Sequence, residues 1–139
     1  MGGVGLSISE YLVDNYNAQL TLTSRSGRPQ RSQNGLPVSE TDLRLDLLES
    51  IEKRASRLEI VSVNIADKTS MQLAIEKIYS DDRKIDGVIV AAGVPDQSGS
   101  IHRRTREQAV AAIESKVHGS VILCDLLKDK SLDLSLIHI

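Results

Sequence analysis

The sequence has no tryptophan and no phenylalanine, and three tyrosines supply all the aromatic rings of its 139 residues. A core built from it must therefore be aliphatic, which suits layers of helices and strands. Too few rings are present to stack nucleic-acid bases, and a net charge of -2 argues against a dedicated nucleic-acid binder. The composition predicts no nucleic-acid partner.

A single cysteine and the lack of long apolar runs exclude further classes of protein. Cys124 has no partner for an internal disulfide and no metal-ligand spacing with His102, His118 or His138, so we expect neither a disulfide nor a metal site. The longest apolar runs fall far short of the roughly 18 residues that span a membrane. The N-terminal residues also lack the basic and apolar regions of a secretory signal. These absences predict a cytoplasmic protein without membrane contact.

What is present is the composition of one ordinary core, with 40% apolar and 26% charged residues. A chain of this length can bury one such core, so it forms a single domain or part of one. It contains no internal repeat, low-complexity tract or domain linker.

Helical spacing of apolar residues alternates along the chain with short apolar runs, and turn residues separate them. The expected elements are a helix Val4–Tyr16, a strand Gln19–Ser24, a helix capped by Ser39 and ending near Arg57, a strand Leu58–Ile65, a helix capped by Asp67 or Thr69, a strand Val88–Ala92, a helix from Thr105 to about Leu127, and a strand Leu132–Ile139. The continuous apolar run Val88–Ala92 is typical of a strand covered on both faces. The order predicts an α/β fold with a doubly wound, Rossmann-like parallel sheet.

Each expected helix has a face that the apolar spacing assigns to the core. These faces comprise Val4, Ile8, Tyr11 and Leu12 in the first helix, Leu43, Leu47, Leu48, Ile51 and Ala55 in the second, Met71, Ala74, Ile75 and Ile78 in the third, and Ala109, Ile113, Ser120, Leu123, Cys124 and Leu127 in the fourth. We expect Cys124 to be a small core residue rather than a nucleophile.

The first residues resemble the second half of a glycine-rich nucleotide-binding turn, Gly2-Gly3-Val4-Gly5. Such a turn holds phosphate where backbone N–H groups and a helix N-terminus converge, with a strand before it and a helix after it. A helix is predicted to follow, but no strand precedes the turn in this sequence. We therefore expect a phosphate-binding turn whose first strand is missing.

Arg25 follows the first expected strand, about 20 residues after the glycine turn. In nicotinamide-binding folds an acidic residue near this position binds a free ribose 2′-hydroxyl, whereas an arginine accommodates a 2′-phosphate. Arg25 therefore indicates NADP(H). The alternative is that Arg25, Arg28 and Arg31 are all solvated loop cations.

Lys116 falls within the apolar stripe of the last helix, while Glu107, Glu114, His118 and Asp125 lie on the opposite side. A lysine in such a stripe is seldom fully buried without a partner. It can extend past its neighbours to solvent. The functional alternative is a positioned ammonium that holds a hydroxyl and lowers the pKa of a neighbouring acid.

Five segments in register resemble the ketoreductase domain of modular polyketide synthases, a branch of the short-chain dehydrogenase/reductases. They are GGVGL, LTSRSG, IDGVIVAAGV, ESKVHG and LLKDKSLD, and the resemblance runs from Met1 to about Leu134. Members of that family reduce the β-keto group of a chain tethered to an acyl carrier protein, with hydride from NADPH. The resemblance implies NADPH as cofactor, and the acyl carrier protein with its β-ketoacyl chain and other synthase domains as partners.

The resemblance also implies roles for individual residues. Gly2, Gly3, Val4 and Gly5 would lie against the cofactor pyrophosphate, Arg25 and Ser26 would meet the 2′-phosphate, Asn64 would bond the adenine edge, and Ala91, Ala92 and Gly93 would line the floor beside the adenosine ribose. Ser24 and Ile65 would also belong to the cofactor-binding residues. Lys116 matches the catalytic lysine, which in these ketoreductases lies on this helix.

The sequence departs from the family pattern at several places. Asn64 stands where the family has Asp, which implies a weakened contact with the adenine edge through the amide carbonyl oxygen. Pro95-Asp96-Gln97 stands where one stereochemical class has Leu-Asp-Asp, which argues against that class. No residue matches the catalytic serine, tyrosine or asparagine. We expect residues 1–134 to be a partial NADP-binding ketoreductase domain, without its first strand and C-terminal part, and residues 135–139 to be a non-native tail.

Two functions are consistent with these residues. The first is an enzyme fragment that belongs to a β-ketoacyl reductase and is inactive on its own. The second is a non-catalytic ketoreductase-like module that braces a synthase. The intact glycine turn, Arg25 and Lys116 favour the first, because structural modules of this kind normally lack the cofactor motifs.

Overall fold

Helices and strands alternate in the computed structural model, which describes residues 2–31, 39–93 and 101–137. The elements are α1 (Gly3–Tyr16), β1 (Leu20–Ser24), α2 (Glu40–Arg54), β2 (Leu58–Ser62), α3 (Lys68–Ser80), β3 (Gly87–Val90), a 3₁₀ turn (Ile101–Arg103), α4 (Arg106–Leu127) and β4 (Leu134–Ile137). Strands β1 and β2 pair in parallel, as do β3 and β4. The predicted α/β class is confirmed. The chain divides into two compact units, unit 1 (Met1–Val63) and unit 2 (Asn64–Ile139).

In unit 1, helices α1 and α2 contact each other and pack against the β1–β2 pair. The parallel register aligns Leu20 with Leu58 and Leu22 with Ile60, so these side chains share one face of the pair. That face covers a buried cluster formed by Leu6, Val13, Leu45, Leu48 and Ile51. The core of unit 1 is therefore aliphatic, as the composition predicts.

The predicted cap of α2 at Ser39 is confirmed. The Ser39 hydroxyl accepts a hydrogen bond from the Asp42 N–H at 3.1 Å, and the Asp42 carboxylate accepts one from the Ser39 N–H at 3.0 Å. This reciprocal pairing satisfies two backbone donors that the helix itself leaves free. The helix ends at Arg54 rather than near Arg57, because Ala55 already has an extended backbone.

The buried face of α1 differs from the prediction. Leu6, Ser9 and Val13 are buried, whereas Val4 and Tyr11 are exposed. Apolar residues occur on several sides of this helix, so spacing alone did not determine its rotation. Ser9 can be buried because its hydroxyl donates to the carbonyl of the preceding turn, at 2.8 Å from the Gly5 oxygen.

The prediction of the buried face of α2 is correct in part. Leu48 and Ile51 are fully buried as predicted, but Leu45 is also buried and Leu43 is 60% exposed. Four leucines lie within residues 43–48 of this helix, so two adjacent faces were compatible with the apolar spacing.

In unit 2, α3 buries Met71 and Ile75, as predicted. Asp67 is its N-cap, one of the two predicted capping residues, and the Asp67 carboxylate accepts from the Thr69 N–H at 3.2 Å. Hydrogen bonding from the Ser70 hydroxyl holds the pKa of Asp67 below its ordinary value. Thr105 caps α4 through a second capping box, which confirms the predicted start of that helix.

The buried residues of α4 all lie in its second half and are Gly119, Ser120, Leu123 and Leu127. Three predicted core residues are not among them: Ile113 is 49% exposed, Cys124 is exposed, and Ala109 is half-buried. Cys124 lines an open cleft of about 200 Å³ between this half of α4 and the β3–β4 pair. The α4 residues that line this cleft, Ser120, Leu123, Cys124 and Leu127, all belong to the second half of the helix.

Candidate functional site

The glycine turn forms the N-terminus of α1. The helix begins at Gly3, Gly2 is its N-cap with an extended backbone, and no described side chain caps the first turn. The first N–H groups of a helix have no intrahelical partner and can therefore donate to an anion. A Cβ placed on Gly2 or Gly3 would meet no described atom within 4 Å. Val4 is exposed and Gly5 is half-buried, so space for a phosphate group is open beside this turn.

Arg25 and Ser26 lie in the turn that follows β1, directly after Ser24, the last residue of the strand. Both are exposed. The Arg25 side chain makes no hydrogen bond or ion pair with any residue in the part of the chain that the structure describes. Its guanidinium is therefore available to an anionic ligand.

The two other arginines of this loop are engaged by acids of α2. Arg28 makes a bidentate contact with Glu52, in which Nη1 donates to Oε1 and Nη2 donates to Oε2 at 2.7 Å. Arg31 donates to Asp46 at 2.7 Å. Hydrogen bonding to these carboxylates raises the pKa of both guanidinium groups. Arg28 and Arg31 are thus surface cations paired with α2, whereas for Arg25 both predictions stay open, the solvated loop cation and the ligand of a 2′-phosphate.

An open cleft of about 420 Å³ lies beside this loop and is lined in part by Ser26, Arg28, Thr41 and Arg44. Arg44 pairs with Glu40 in the first turn of α2. Because both cations of the cleft already contact carboxylates, the cleft offers less to an anion than Arg25 does.

In unit 2, Lys116 lies beside Gly93, the third residue after the end of β3. Its Cε is 3.0 Å and its Nζ 3.8 Å from the position that a Cβ on Gly93 would take. Lys116 is half-buried, and its ammonium has no hydrogen bond or ion pair among the described residues. Ala91 and Ala92, half-buried, connect β3 to Gly93. Helix α4 thus brings a cation to the carboxyl end of a parallel strand, where open α/β sheets bind their ligands.

Asn64 has a structural role that the sequence did not predict. It is exposed, and its side-chain oxygen accepts from the Ala66 N–H at 3.1 Å, while its carbonyl accepts from the Asp67 N–H at 2.9 Å. These bonds shape the turn before α3, so β2 ends at Ser62 rather than at Ile65. The amide oxygen predicted to face the adenine is therefore already engaged with the backbone.

The side chain of Ile65, predicted as a cofactor contact, packs against α4. A Cβ on Gly119 would lie 2.9 Å from both Cγ1 and Cγ2 of Ile65, so a larger residue at this position would force the Ile65 side chain or the helix to shift. Gly119 is buried and lies about one turn after Lys116. Reasoning from the sequence missed this contact, although a small residue within the inward stripe of α4 is a signal of close approach.

Other features of the described residues add no further ligand group. Residues 94–100, which include Pro95, Asp96 and Gln97, lie outside the described residues. Within the described ranges, no group of His, Cys, Asp and Glu side chains is arranged to hold a metal ion. None of the described helices combines the length and the apolar character needed to cross a membrane.

Comparison with known sequences identifies relatives along nearly the whole chain. A family model described as the KR domain matches residues 1–138. The polyketide synthase PksL of Bacillus subtilis (strain 168) is 28% identical over 133 residues, which is 94% of this chain and 3% of that protein. The highly reducing polyketide synthase dmxL2 of Cryptosporiopsis sp. (strain 8999) is 31% identical over 129 residues, which is 93% of this chain and 5% of that protein. The chain therefore spans a small part of the curated relatives it matches.

Comparison with solved structures gives the same fold. PlmKR1, the ketoreductase from the first module of phoslactomycin biosynthesis in Streptomyces sp. HK803, matches with a TM-score of 0.78 at 25% identity, over 98% of this chain and 29% of that chain. An A1-type ketoreductase matches with a TM-score of 0.79 at 23% identity, over 98% of this chain and 26% of that chain. The predicted Rossmann-like fold is confirmed.

Proposed function

Because the chain belongs to the KR domain family, the ketoreductase domains of polyketide synthases, we propose that it binds NADPH for the reduction of a β-ketoacyl group. The acyl group would be carried by an acyl carrier protein, in the cytoplasm, and the reduction would be one step of polyketide assembly. The observation that carries the proposal is the guanidinium of Arg25, which has no partner among the described residues and lies beside two arginines whose charges α2 already neutralises.

Unit 1 supplies the residues that fit the phosphate groups of the cofactor. At the N-terminus of α1 no described side chain caps the first turn, and no described atom lies within 4 Å of a Cβ on Gly2 or Gly3, so the first N–H groups of this helix suit a pyrophosphate. Arg25 can donate two parallel hydrogen bonds to a 2′-phosphate, and Ser26 can add a hydroxyl. A free 2′-hydroxyl would instead favour an acidic side chain, which this turn lacks.

Unit 2 supplies Lys116, the residue proposed to act near the nicotinamide end of the cofactor. The half-buried ammonium of Lys116 is a hydrogen-bond donor beside Gly93, and it can hold a ribose hydroxyl and stabilise a nearby phenolate. When bound, the reduced nicotinamide supplies hydride to the ketone carbon. Because no residue matches the tyrosine that would donate the proton, we propose that this chain binds cofactor without completing the reaction.

The experiment is a titration of the 139-residue chain with NADPH and with NADH, followed by nicotinamide fluorescence and calorimetry. We expect tighter binding of NADPH, and we expect Arg25→Ala to weaken NADPH binding about tenfold or more, because a charge-assisted pair is lost. NADH binding should change little, since it has no 2′-phosphate.

Arg31→Ala is the matched control, because it removes the same charge from the same loop but from an arginine that pairs with Asp46. It should leave both affinities nearly unchanged. Equal binding of NADPH and NADH by the wild-type chain would overturn the assignment of the cofactor. Turnover of a β-ketoacyl thioester by the purified chain would contradict the proposed lack of independent activity.

A further inference from the structure

The turn that carries Arg25 is closed by its own hydrogen bonds. The Ser24 hydroxyl donates to the Gly27 carbonyl at 2.9 Å, and the Gly27 N–H donates to the Ser24 carbonyl at 3.3 Å. Gly27 has a φ of +67°, a left-handed conformation that glycine adopts without strain. The backbone of Arg25 therefore belongs to a compact turn rather than to an open loop.

A second strand supports this turn from outside through Ser62. Ser62 is the last residue of β2 and is aligned with Ser24 in the parallel register. Its hydroxyl donates to the Arg25 carbonyl at 3.0 Å. The next residue, Val63, donates its N–H to the Ser24 carbonyl at 3.0 Å. Among the described residues, Ser62 is the side chain outside the turn that hydrogen-bonds to the backbone of Arg25.

Gly27 and Ser62 also contact each other sterically. A Cβ on Gly27 would lie 3.4 Å from the Cβ of Ser62, so the turn closes directly onto the end of β2. Ser62 itself is exposed and contributes nothing to the buried cluster of unit 1. Its described contacts are therefore with the turn that carries Arg25.

We infer that Ser62 is a positioning residue for the recognition of the 2′-phosphate, acting through the backbone of Arg25. The inference rests on the proposed function, because it assumes that Arg25 binds this phosphate. A guanidinium on a long side chain recognises a phosphate well only when its backbone is held, since each bond must otherwise offset the cost of ordering the turn. By fixing the Arg25 carbonyl, Ser62 reduces the freedom that the turn loses when the cofactor binds.

The test measures the affinities of the 139-residue chain for NADP⁺ and NAD⁺ after Ser62→Ala. We expect the affinity for NADP⁺ to fall about three- to tenfold, the loss typical of one hydrogen bond, while the affinity for NAD⁺ stays within about twofold of the wild type. Ser62→Thr retains the hydroxyl and should therefore retain much of the preference for NADP⁺ over NAD⁺. Ser56→Ala is the matched control, because Ser56 is an exposed serine of unit 1 with no described side-chain partner.

A double-mutant cycle separates positioning from a general structural effect. In an Arg25→Ala background, Ser62→Ala should cause no further loss of NADP⁺ affinity, because the group it positions is absent. Equal losses for NADP⁺ and NAD⁺, or the same loss with and without Arg25, would overturn the role of Ser62. A wild-type chain without preference for NADP⁺ would instead overturn the proposed cofactor, and the inference with it. An Arg25-dependent preference unaffected by Ser62→Ala would leave the cofactor assignment intact and reject the inference alone.

Discussion

The two units hold their candidate functional residues by different means. In unit 1, Arg25 lies on a turn that hydrogen bonds from Ser24, Ser62 and Val63 keep in place. In unit 2, Lys116 lies on a long helix whose distance from Ile65 is set by a close contact at Gly119. Arg25, the residue proposed to bind phosphate, can therefore be perturbed without disturbing a core, whereas Lys116 cannot be moved without disturbing the packing of α4.

The helices of the units also differ in how much apolar surface they cover. In α2, Leu43 is exposed and three other apolar residues are buried, and Arg54 ties this helix to Glu10 and Asp14 of α1. In α4 a stripe of four branched side chains is 42–64% exposed; it comprises Val110, Ile113, Val117 and Val121. We therefore expect core substitutions in unit 1 to have the largest effects on stability.

The largest expected effect is that of Leu48→Ala. Leu48 is fully buried in unit 1, so the substitution should lower the free energy of unfolding by about 2–5 kcal/mol through lost burial and a residual cavity. Leu43→Ala, on the same helix, and Val117→Ala, on the exposed stripe of α4, should each change it by less than about 0.5 kcal/mol. Urea unfolding followed by circular dichroism measures all three. Similar losses for Leu48→Ala and Leu43→Ala would contradict the assigned rotation of α2.

That rotation also shows which parts of the fold the sequence could predict. The alternation of elements follows from turn residues and apolar runs, and the caps at Ser39 and Thr105 follow from side chains that bond to nearby backbone. These are local effects. The inward face of α1 or α2 depends on the distant residues that each helix contacts, and apolar residues on adjacent sides make spacing ambiguous.

The candidate site divides in the same way. Arg25 and Lys116 could be predicted, because a cation after a strand and a cation within an apolar stripe are visible in the sequence. Ser62 and Gly119 could not, because each acts on a residue far along the chain: Ser62 on the Arg25 carbonyl and Gly119 on Ile65. Nothing in the local pattern of a serine or a glycine identifies such a partner.

An intermediate effect is expected for Gly119→Ala. The new methyl group would lie 2.9 Å from two carbons of Ile65, and overpacking of this kind costs about 1–3 kcal/mol, offset in part by the roughly 1 kcal/mol preference of a helix for alanine. We expect a net loss of stability, measured as a lower midpoint in urea unfolding. Gly3→Ala in α1 is the matched control, because its Cβ meets no described atom and should be neutral or slightly stabilising.

Gly119→Ala and Gly3→Ala also test how the two units hold their candidate functional residues. In an Ile65→Ala background, Gly119→Ala should cost less, because the carbons that it contacts are gone. Gly3→Ala should weaken NADPH binding despite unchanged stability, since its methyl group occupies the space proposed for the pyrophosphate. If Gly119→Ala unfolded at the same urea concentration as the wild type, close packing would not be what positions Lys116.

The smallest expected effect is a pH dependence of unit 2. The Lys68 ammonium donates a hydrogen bond to Asp125 between α3 and α4, and together with the charge of Lys128 it holds the pKa of Asp125 below its ordinary value of 3.8. Because the folded-state pKa is lower than the unfolded one, the stabilisation is complete above the unfolded pKa and is lost as the pH falls through the folded pKa. Asp125→Asn should therefore reduce the free energy of unfolding at pH 7, and this free energy should then decline less steeply below about pH 5 than it does in the wild type. Asp129→Asn is the control, because Asp129 has no described side-chain partner, and it should cause neither change. The effect should be small and should shrink in high salt, because both partners are exposed. This pH dependence is measured by urea unfolding midpoints across the pH range and by an NMR titration of the Asp125 carboxyl group. If Asp125 titrated at or above its ordinary pKa, the α3–α4 ion pair would not form in solution.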